Sequence, residues 1–506
     1  MIRAWPGEQI LGFAAAAIFS AAAVLGAIFM PGLTIALAVT VGLIWSVAAV
    51  ATAWPIWQSA VLVALGGYVV LNYGFTNLML PFVGVIPVGH LLVLVGVIAL
   101  LLTRGRDLRT LLKEPLLYFV AAMLIETLIH VALEFPRFGA DAVRDSSVIF
   151  EMMVACVIGF AWAQRIDDRE RFVRALAVLL LLNFGYSLTY PVSHWLADHS
   201  PVSGVFRPVA LLGSYAHTAM YLIAGALFLL LLGGRTLGWS GMTLWALALP
   251  QLIWSLVFQM RSMYIGIILI LLCFMFLRRV QLGAKIALGF LSVGAFAILV
   301  MSVFNFQFEG RMGPVKPAFL IEHLESLSGD PDMPAAGSAQ WRVNAIKQAI
   351  KRWTVSYATT LVGIGFGQPL VDPFGSRDRP IRDPHNVHVA LLARLGVVGA
   401  MLWAAIHLRI VALMVRALRF AKSVDSRNLA LWFICFYLLS LLLMSTQPWL
   451  HYAHGAVPFF TIIGFAVGVA RTAYLSSPLG ARSLVEVPMG RGALVAGAVA
   501  TSRIGG

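Results

Sequence analysis

Long apolar runs alternate with short polar clusters along most of the chain. Apolar segments cover approximately residues 10–30, 33–53, 56–73 and 86–102, and comparable segments recur as far as residue 474. A hydrocarbon core about 30 Å thick needs about 20 helical residues to cross it. On that measure the pattern predicts about twelve to fourteen membrane-spanning helices. The predicted fold is therefore all-α and polytopic.

One apolar run is too long for a single span. Residues 241–277 contain few polar positions, and as one helix they would reach about 55 Å at 1.5 Å per residue. The run must therefore fold back on itself. Arg261 lies near its middle, which predicts a helical hairpin with its turn at that residue.

Composition agrees with a membrane protein. Of the 506 residues, 60% are hydrophobic and 11% are charged, and the mean hydropathy is +0.89, which is more apolar than soluble globular domains. The net charge of +14 is dispersed in short clusters between apolar runs. We interpret it as a topology signal that places these basic loops in the cytoplasm, and not as a nucleic-acid surface. The three cysteines lie in apolar segments without paired spacing, so no disulfide framework is predicted.

One polar interruption divides the chain. Residues 1–304 predict transmembrane helices with short loops, residues 305–384 a large external loop domain, and residues 385–475 further transmembrane helices. Residues 476–506 are rich in Gly, Ala and Ser and predict a poorly ordered cytoplasmic tail. The candidate chemistry lies in the long loop, where its last polar residues meet the next span.

Three arginines are candidate anion ligands. Arg207 and Arg261 each lie at a predicted external membrane boundary between apolar neighbours, and Arg342 lies in the long loop. Such an arginine can snorkel to lipid headgroups, but its guanidinium is costly in apolar surroundings unless it meets an anion. The planar fork of a guanidinium suits the oxygens of a pyrophosphate.

Residues 340–353 predict an amphipathic helix in the long loop, capped by Ser338. Arg342 lies on its apolar stripe at helical spacing from Ile346 and Ala349, so we expect Arg342 to face protein. Three other cations are expected on a solvated or headgroup-facing side, and these are Lys347, Lys351 and Arg352.

Two histidines one helical turn apart begin the predicted span at 386–408. His385, followed by Asn386, is the candidate general base or hydrogen-bonding group, because an imidazole titrates near neutral pH. His388 is expected to be a packed helix residue, and no metal is predicted. A third metal ligand would have to come from weaker candidates, which are Asp383, His451 and His454.

Two further motifs resemble sites of other enzymes. Gly363, Gly365 and Gly367 are spaced like a phosphate loop, but outside a strand-to-helix context they predict a tight backbone turn. Asp330 and Asp332 resemble the metal-binding carboxylates of enzymes that use sugar nucleotides. Sugar nucleotides are cytoplasmic, whereas this loop is predicted to be external.

Taken in order, these motifs resemble those of the bacterial O-antigen ligase and O-antigen polymerase family. The resemblance covers residues 204–400. It rests on five pieces, which are Arg207 followed by Gly213 and His217; Gln259-Met-Arg261-Ser262; Trp341-Arg342; Gly363-Ile-Gly-Phe-Gly367; and His385-Asn386 followed by Leu392, Gly396 and Gly399. Two positions depart from the family pattern, since Arg394 replaces an acidic residue and Met260 replaces a hydroxyl.

The resemblance implies a GT-C-like helical fold in the bacterial inner membrane, with the active site facing the periplasm and without a cofactor or metal. The donor would be a glycan on undecaprenyl pyrophosphate, and the acceptor a sugar hydroxyl on lipid A core or on a second lipid-linked glycan. By the same resemblance Arg207, Arg261 and Arg342 bind the pyrophosphate and His385 is catalytic. The supporting residues would be His217, Asn386, His388, Gly365 and Gly367.

Several functions share these features. We favour a ligase over a polymerase because the large loop lies late in the chain, and protein O-oligosaccharyltransferases carry the same motifs. A flippase or transporter for a lipid-linked glycan is the rival from another class. It predicts cations at several depths and often an internal repeat, whereas here the cations gather at one predicted face and we find no repeat. Arginines can stabilise a departing pyrophosphate without a metal, and direct displacement would invert the anomeric centre.

Overall fold

A computed structural model describes most of the chain between residues 54 and 475. The described ranges are 54–79, 86–105, 113–203, 209–213, 215–277, 279–303, 309–311, 313–314, 336–372 and 382–475. Arg207, Asp330, Asp332, the predicted spans at 10–53 and the predicted tail at 476–506 lie outside these ranges.

The first half of the described chain is helical. Its elements are α1 (Ile56–Gly66), a π-helical turn (Gly67–Leu71), α2 (Tyr73–Thr76), α3 (Val88–Arg104), α4 (Pro115–Phe138), α5 (Ala140–Ala163), α6 (Ile166–Ser187), a 3-10 turn (Tyr190–Val192) and α7 (Ser193–Asp198). A short antiparallel pair follows, formed by β1 (Val202–Ser203) and β2 (Val209–Ala210).

The second half adds the elements that carry the candidate site. They are α8 (Thr218–Phe228) with a π-helical turn (Leu229–Gly233), α9 (Gly234–Leu237), α10 (Gly241–Val257), α11 (Arg261–Phe276), α12 (Val280–Val303), β3 (Glu309–Gly310) and β4 (Gly313–Pro314), α13 (Ala336–Trp353), α14 (Tyr357–Val362), α15 (Val387–Phe420), α16 (Val424–Thr446), a 3-10 turn (Trp449–His451) and α17 (Ala453–Leu475). β3 and β4 form an antiparallel pair.

Six helical segments of the described chain are long and apolar enough to cross a membrane, and a seventh results if the bent pair α6 and Tyr190–Asp198 is one span. This confirms the predicted all-α, polytopic fold. The six are Pro115–Phe138, Ala140–Trp162, Thr218–Leu237, Val387–Phe420, Val424–Thr446 and Ala453–Thr472. Five shorter apolar helices accompany them. The predicted total of about twelve to fourteen spans includes residues outside the described ranges and stays a prediction.

Two breaks in the helices bear on the sequence predictions. The apolar run 241–277 is broken at the predicted position, since α10 ends at Val257 and α11 begins at Arg261. The charged residues between positions 134 and 145 do not form a loop between spans, because α4 and α5 continue through them. Gly139, with φ +54°, alone separates the two helices, and Asp141 and Arg144 form an i,i+3 ion pair of 2.9 Å within α5.

The chain reverses within α15. Trp403 Nε1 donates a hydrogen bond of 2.9 Å to His388 Nδ1, although in a straight helix residues fifteen apart are separated by about 22 Å. Gly396 makes the turn with φ 64° and ψ −162°. The predicted single span at 386–408 is therefore wrong. A half-helix runs from Val387 to Gly396, and the remaining residues to Phe420 form the long arm.

Two helices at the centre of the bundle are in close backbone contact. α17 packs against α5 so tightly that a Cβ on Gly159 would lie 2.0 Å from the carbonyl oxygen of Thr461, and one on Gly464 would lie 2.3 Å from that of Cys156. Small residues permit such close helix contacts. At the helix ends predicted to be cytoplasmic, ion pairs join distant segments, including Arg409 with Glu114, Arg235 with Asp425 and Arg104 with Asp168.

Candidate active site

His385 lies immediately before α15 in a constrained backbone. Its φ is +53°, a conformation that residues other than glycine rarely adopt, and its ring packs edge-on against Trp341 with a centroid distance of 4.8 Å. Asn386 caps α15 by accepting from Val389 N at 3.0 Å, and its amide donates to Ser445 O at 3.0 Å. These contacts fix the imidazole at the start of the half-helix.

The surroundings keep His385 neutral. Burial, and then the positive charge of Arg342, lower the pKa of His385 to about 4, against an opposing effect of Asp383. A neutral imidazole at neutral pH can accept a hydrogen bond or a proton.

Arg342 lies among other cations. Burial, followed by the charges of Arg261 and Arg311, lowers the pKa of Arg342, although a guanidinium remains charged. Its Nε is buried and has no hydrogen-bond partner among the described residues. We call Arg261, Arg311 and Arg342 the cation cluster. Like charges held this close destabilise one another, and an anion between them would relieve the repulsion.

Arg311 is the member of this cluster that sequence reasoning missed. It lies in the turn between β3 and β4, where its backbone N donates to Val257 O at 3.3 Å. The side chain of Gln259, itself at φ +48°, donates to Gly313 O at 2.9 Å and ties the turn to the start of α11. The sequence feature that could have revealed it is an arginine between Gly310 and Gly313, shortly after an apolar run.

A pair of histidines lies beside the same centre. His217 Nδ1 is 3.1 Å from His454 Nε2, and His454 Nδ1 is 3.1 Å from Thr76 Oγ1. Burial, then the charge of Arg311, and then the charge that His385 carries when it is protonated, lower the pKa of His217 to about 4. His217 is thus close enough to both groups for their charges to act on it. Tyr73 and Tyr452 pack against His454, and Tyr215 packs against Tyr73.

Ion pairs extend from the site into the bundle. Arg394 is 2% exposed and contacts Asp145 at 3.0 Å and Asp383 at 3.1 Å. The other oxygen of Asp383 is 3.3 Å from His451 Nδ1. Arg394 replaces the acidic residue of the family pattern, but it holds another carboxylate, that of Asp383, at the site.

Residues 363–367, which we call the glycine loop, support α15 at the point where it reverses. Ile364 N and Gly365 N donate to the carbonyl oxygens of Ala393 and Arg394 at 2.9 and 3.0 Å. The approach is so close that a Cβ on Gly363 would lie 2.1 Å from the carbonyl oxygen of Arg394. Gly365 and Gly367 have φ of +78° and +96°. These conformations fit the predicted tight turn.

Other predicted residues have different surroundings. His388 packs against Trp403 and His407, as expected for a packed helix residue. α13 begins at Ala336, so Ser338 lies inside the helix and the predicted cap is wrong. Lys347 and Lys351 are exposed as predicted, but Arg352 donates to Pro369 O and pairs with Asp372, since the following loop folds back onto α13.

The arrangement also bears on the metal-site alternative. Within the described ranges, no group of three or more His, Cys, Asp or Glu side chains is placed to hold a metal ion. The cations and imidazoles described above instead form a site suited to an anion next to a neutral hydrogen-bond acceptor.

Residues 252–404 match the family model described as O-Antigen ligase. Over this range, which is less than half of its 506 residues, the chain is similar to the O-antigen ligase family. The matched range contains the cation cluster, His385 and the glycine loop, whereas His217, His451 and Asp145 lie outside it. The family carries out glycosyl transfer of the O-antigen ligase and polymerase type, with lipid-linked glycans as substrates. A search of curated proteins gave no match to the chain.

Proposed function

We propose that this protein is an inner-membrane glycosyltransferase that moves a glycan from undecaprenyl pyrophosphate to a sugar hydroxyl, with lipid A core as the acceptor of an O-antigen ligase. The observation that carries the proposal is the cation cluster beside a neutral His385. The cluster comes from three separate segments, α11, the β3–β4 turn and α13. All three segments and His385 lie within the family match.

The cluster suits the leaving group. As the bond between the anomeric carbon and the phosphate oxygen breaks, negative charge grows on the pyrophosphate. Guanidinium groups already in place stabilise that charge without reorganising, and their planar geometry allows bidentate contacts to phosphate oxygens. Arg207 is proposed as a further pyrophosphate ligand on the resemblance of its motif alone.

His385 is proposed to contact the attacking hydroxyl, as a general base or as a hydrogen-bond acceptor. Positioned acid–base groups contribute about 10²- to 10⁴-fold to rate. Attack from the side opposite the pyrophosphate forms the new glycosidic bond as the old one breaks, and it inverts the anomeric centre. His217 and Asn386 support the site by their positions, while Gly365 and Gly367 support the backbone around Arg394.

The site is proposed to face the periplasm. The ends of the helices away from it carry the basic residues Arg104, Arg235 and Arg409. Basic loops remain on the cytoplasmic side. A site at the opposite ends would meet the lipid-linked glycan at the external surface of the inner membrane.

Deletion of the gene in its host tests the function. For a ligase we expect loss of long-chain lipopolysaccharide on a gel while lipid-linked polymer remains. Complementation with Arg342→Gln should fail, and complementation with Arg352→Gln on the same helix should succeed. Cores that bear a single repeat would instead indicate a polymerase, and unchanged lipopolysaccharide would contradict both functions.

A second test addresses the metal-free mechanism. Purified enzyme is assayed for transfer in detergent with and without a metal chelator. The cation cluster predicts the same rate in both conditions, because guanidinium groups supply the positive charge. Loss of activity with chelator, restored by added metal, would contradict the proposed role of the arginines.

A further inference from the structure

Two imidazoles lie near the proposed reaction centre, and their surroundings differ in charge. His385 lies beside the positive charge of Arg342. His451 Nδ1 instead lies 3.3 Å from Oδ2 of Asp383. Asp383 lies two residues before His385 in the chain, so its contact with His451 brings both imidazoles to the same end of the bundle.

Asp383 is held as a carboxylate. Burial alone would raise the pKa of Asp383, but His451 and Arg394 together lower it well below its usual range. Arg394 contacts Asp383 Oδ1 at 3.1 Å and is itself anchored on Asp145 at 3.0 Å. A buried ion pair of this kind fixes the carboxylate in one orientation.

The position of His451 is also fixed. It ends the 3-10 turn Trp449–His451, and its backbone N donates to Pro448 O at 3.0 Å. Trp449 and Leu450, just before it, are fully buried. The ring therefore stays between α16 and α17 at the end of the bundle that carries the site.

We propose that His451, oriented by Asp383, is a further catalytic residue that accepts the proton of the acceptor hydroxyl. The proposal rests on the proposed function and deepens it. A carboxylate on Nδ1 selects the tautomer with a free lone pair on Nε2, and it stabilises the imidazolium that forms. His385, beside a cation, remains neutral and holds the hydroxyl by a hydrogen bond.

The step balances without a further reactant. The hydroxyl oxygen forms the bond to the anomeric carbon, and its proton passes to Nε2 of His451. The bond from that carbon to the pyrophosphate oxygen breaks, and its electron pair leaves with the pyrophosphate. The cation cluster takes up the resulting negative charge, and the proton on His451 later returns to solvent.

The charged groups around the pair that bear on its protonation come from several elements. Asp383 and His385 lie in the segment before α15, Arg394 reaches back from the half-helix, and Arg342 comes from α13. Asp383 is the anion among them that contacts His451. Its loss should therefore release the His451 ring from its fixed orientation.

The test uses the full-length enzyme in detergent, with undecaprenyl-pyrophosphate-linked glycan and lipid A core extracted from the deletion strain. His451→Gln should lower kcat by about 10²- to 10⁴-fold, with the donor KM changed less than about twofold. Asp383→Asn should lower kcat similarly, again with the donor KM changed less than about twofold, and Asp383→Glu should restore part of the rate. His194→Gln, an exposed histidine on α7, is the control and should keep the wild-type rate.

The outcomes separate the inference from the proposed function. Wild-type enzyme without transfer activity overturns the proposed function. Active wild type together with a His451→Gln variant of unchanged kcat overturns the inference alone. Should His451→Gln fail to fold, the Asp383 variants decide. A folded Asp383→Asn enzyme of unchanged kcat, or an Asp383→Glu enzyme that recovers no rate, would assign Asp383 a purely structural role and overturn the proposed pair.

Discussion

Replacing Arg342 should show whether this arginine binds the substrate or stabilises the fold. In the unliganded protein, the neighbouring charges of Arg261 and Arg311 oppose that of Arg342. Its Nε has no partner among the described residues to lose. Arg342→Gln should therefore leave the melting temperature unchanged or raise it, because it removes repulsion between like charges.

Activity should respond in the opposite direction. A preorganised donor aimed at charge that develops in the transition state contributes about 2.7–4 kcal/mol, which corresponds to about 10²- to 10³-fold in kcat. Arg342 is one of three cations in the cluster, so Arg261 and Arg311 should preserve a residual rate. We expect Arg342→Gln to lower kcat by that factor and Arg342→Lys to lower it less, because lysine keeps the charge but loses the planar fork.

Arg352→Gln is the matched control on the same helix. Its ion pair with Asp372 is largely solvent-accessible, with side chains 36% and 69% exposed, and such pairs contribute about 0–1 kcal/mol. The control should keep its activity and lose little stability. Transfer is followed with radiolabelled lipid-linked glycan, and melting by fluorimetry in the same detergent. An Arg342→Gln variant that melts markedly earlier, or that transfers at the wild-type rate, would refute the reasoning.

Three further changes test other parts of the site. Arg311→Gln should lower kcat by about 10²-fold or more while the protein remains folded, and an unaffected transfer rate would remove Arg311 from the cluster. Gly396→Ala should reduce folded yield on size-exclusion chromatography, because φ is +64° and a Cβ would lie 2.3 Å from the carbonyl oxygen of Leu361; wild-type yield would argue against the reversal. The pKa of His385 is about 4 in the fold against 6.5 for the free group. The unfolded chain therefore binds more protons between these values, stability falls as pH drops through them, and His385→Gln should make the decline measured by melting shallower.

The overall fold could be predicted from the sequence because the bilayer imposes a simple rule. Apolar runs of sufficient length become helices, and an over-long run such as 241–277 must turn at its polar residue. The reversal at Gly396 escaped this rule. Both arms of α15 are apolar, and only contacts with the glycine loop at Gly363 and Gly365 determine that the chain turns there.

Part of the candidate site could also be predicted from the sequence, but for a different reason. Arg261, Arg342 and His385 follow recognisable motifs, and their charges interact in the fold. Arg311 and His451 carry no motif of their own, and they reach the site through a tight turn and through the connection between α16 and α17. The partner of Arg394 could not be deduced either, because Asp145 lies far away in sequence and only tertiary packing brings it close.

The most direct test of the central claim is a cryo-EM structure of the protein with undecaprenyl pyrophosphate in a lipid nanodisc. We expect the pyrophosphate within hydrogen-bonding distance of Arg261, Arg311 and Arg342, with its terminal phosphate directed toward His385. Density for the pyrophosphate at the opposite ends of the helices, near Arg169 and Lys422, would contradict the account.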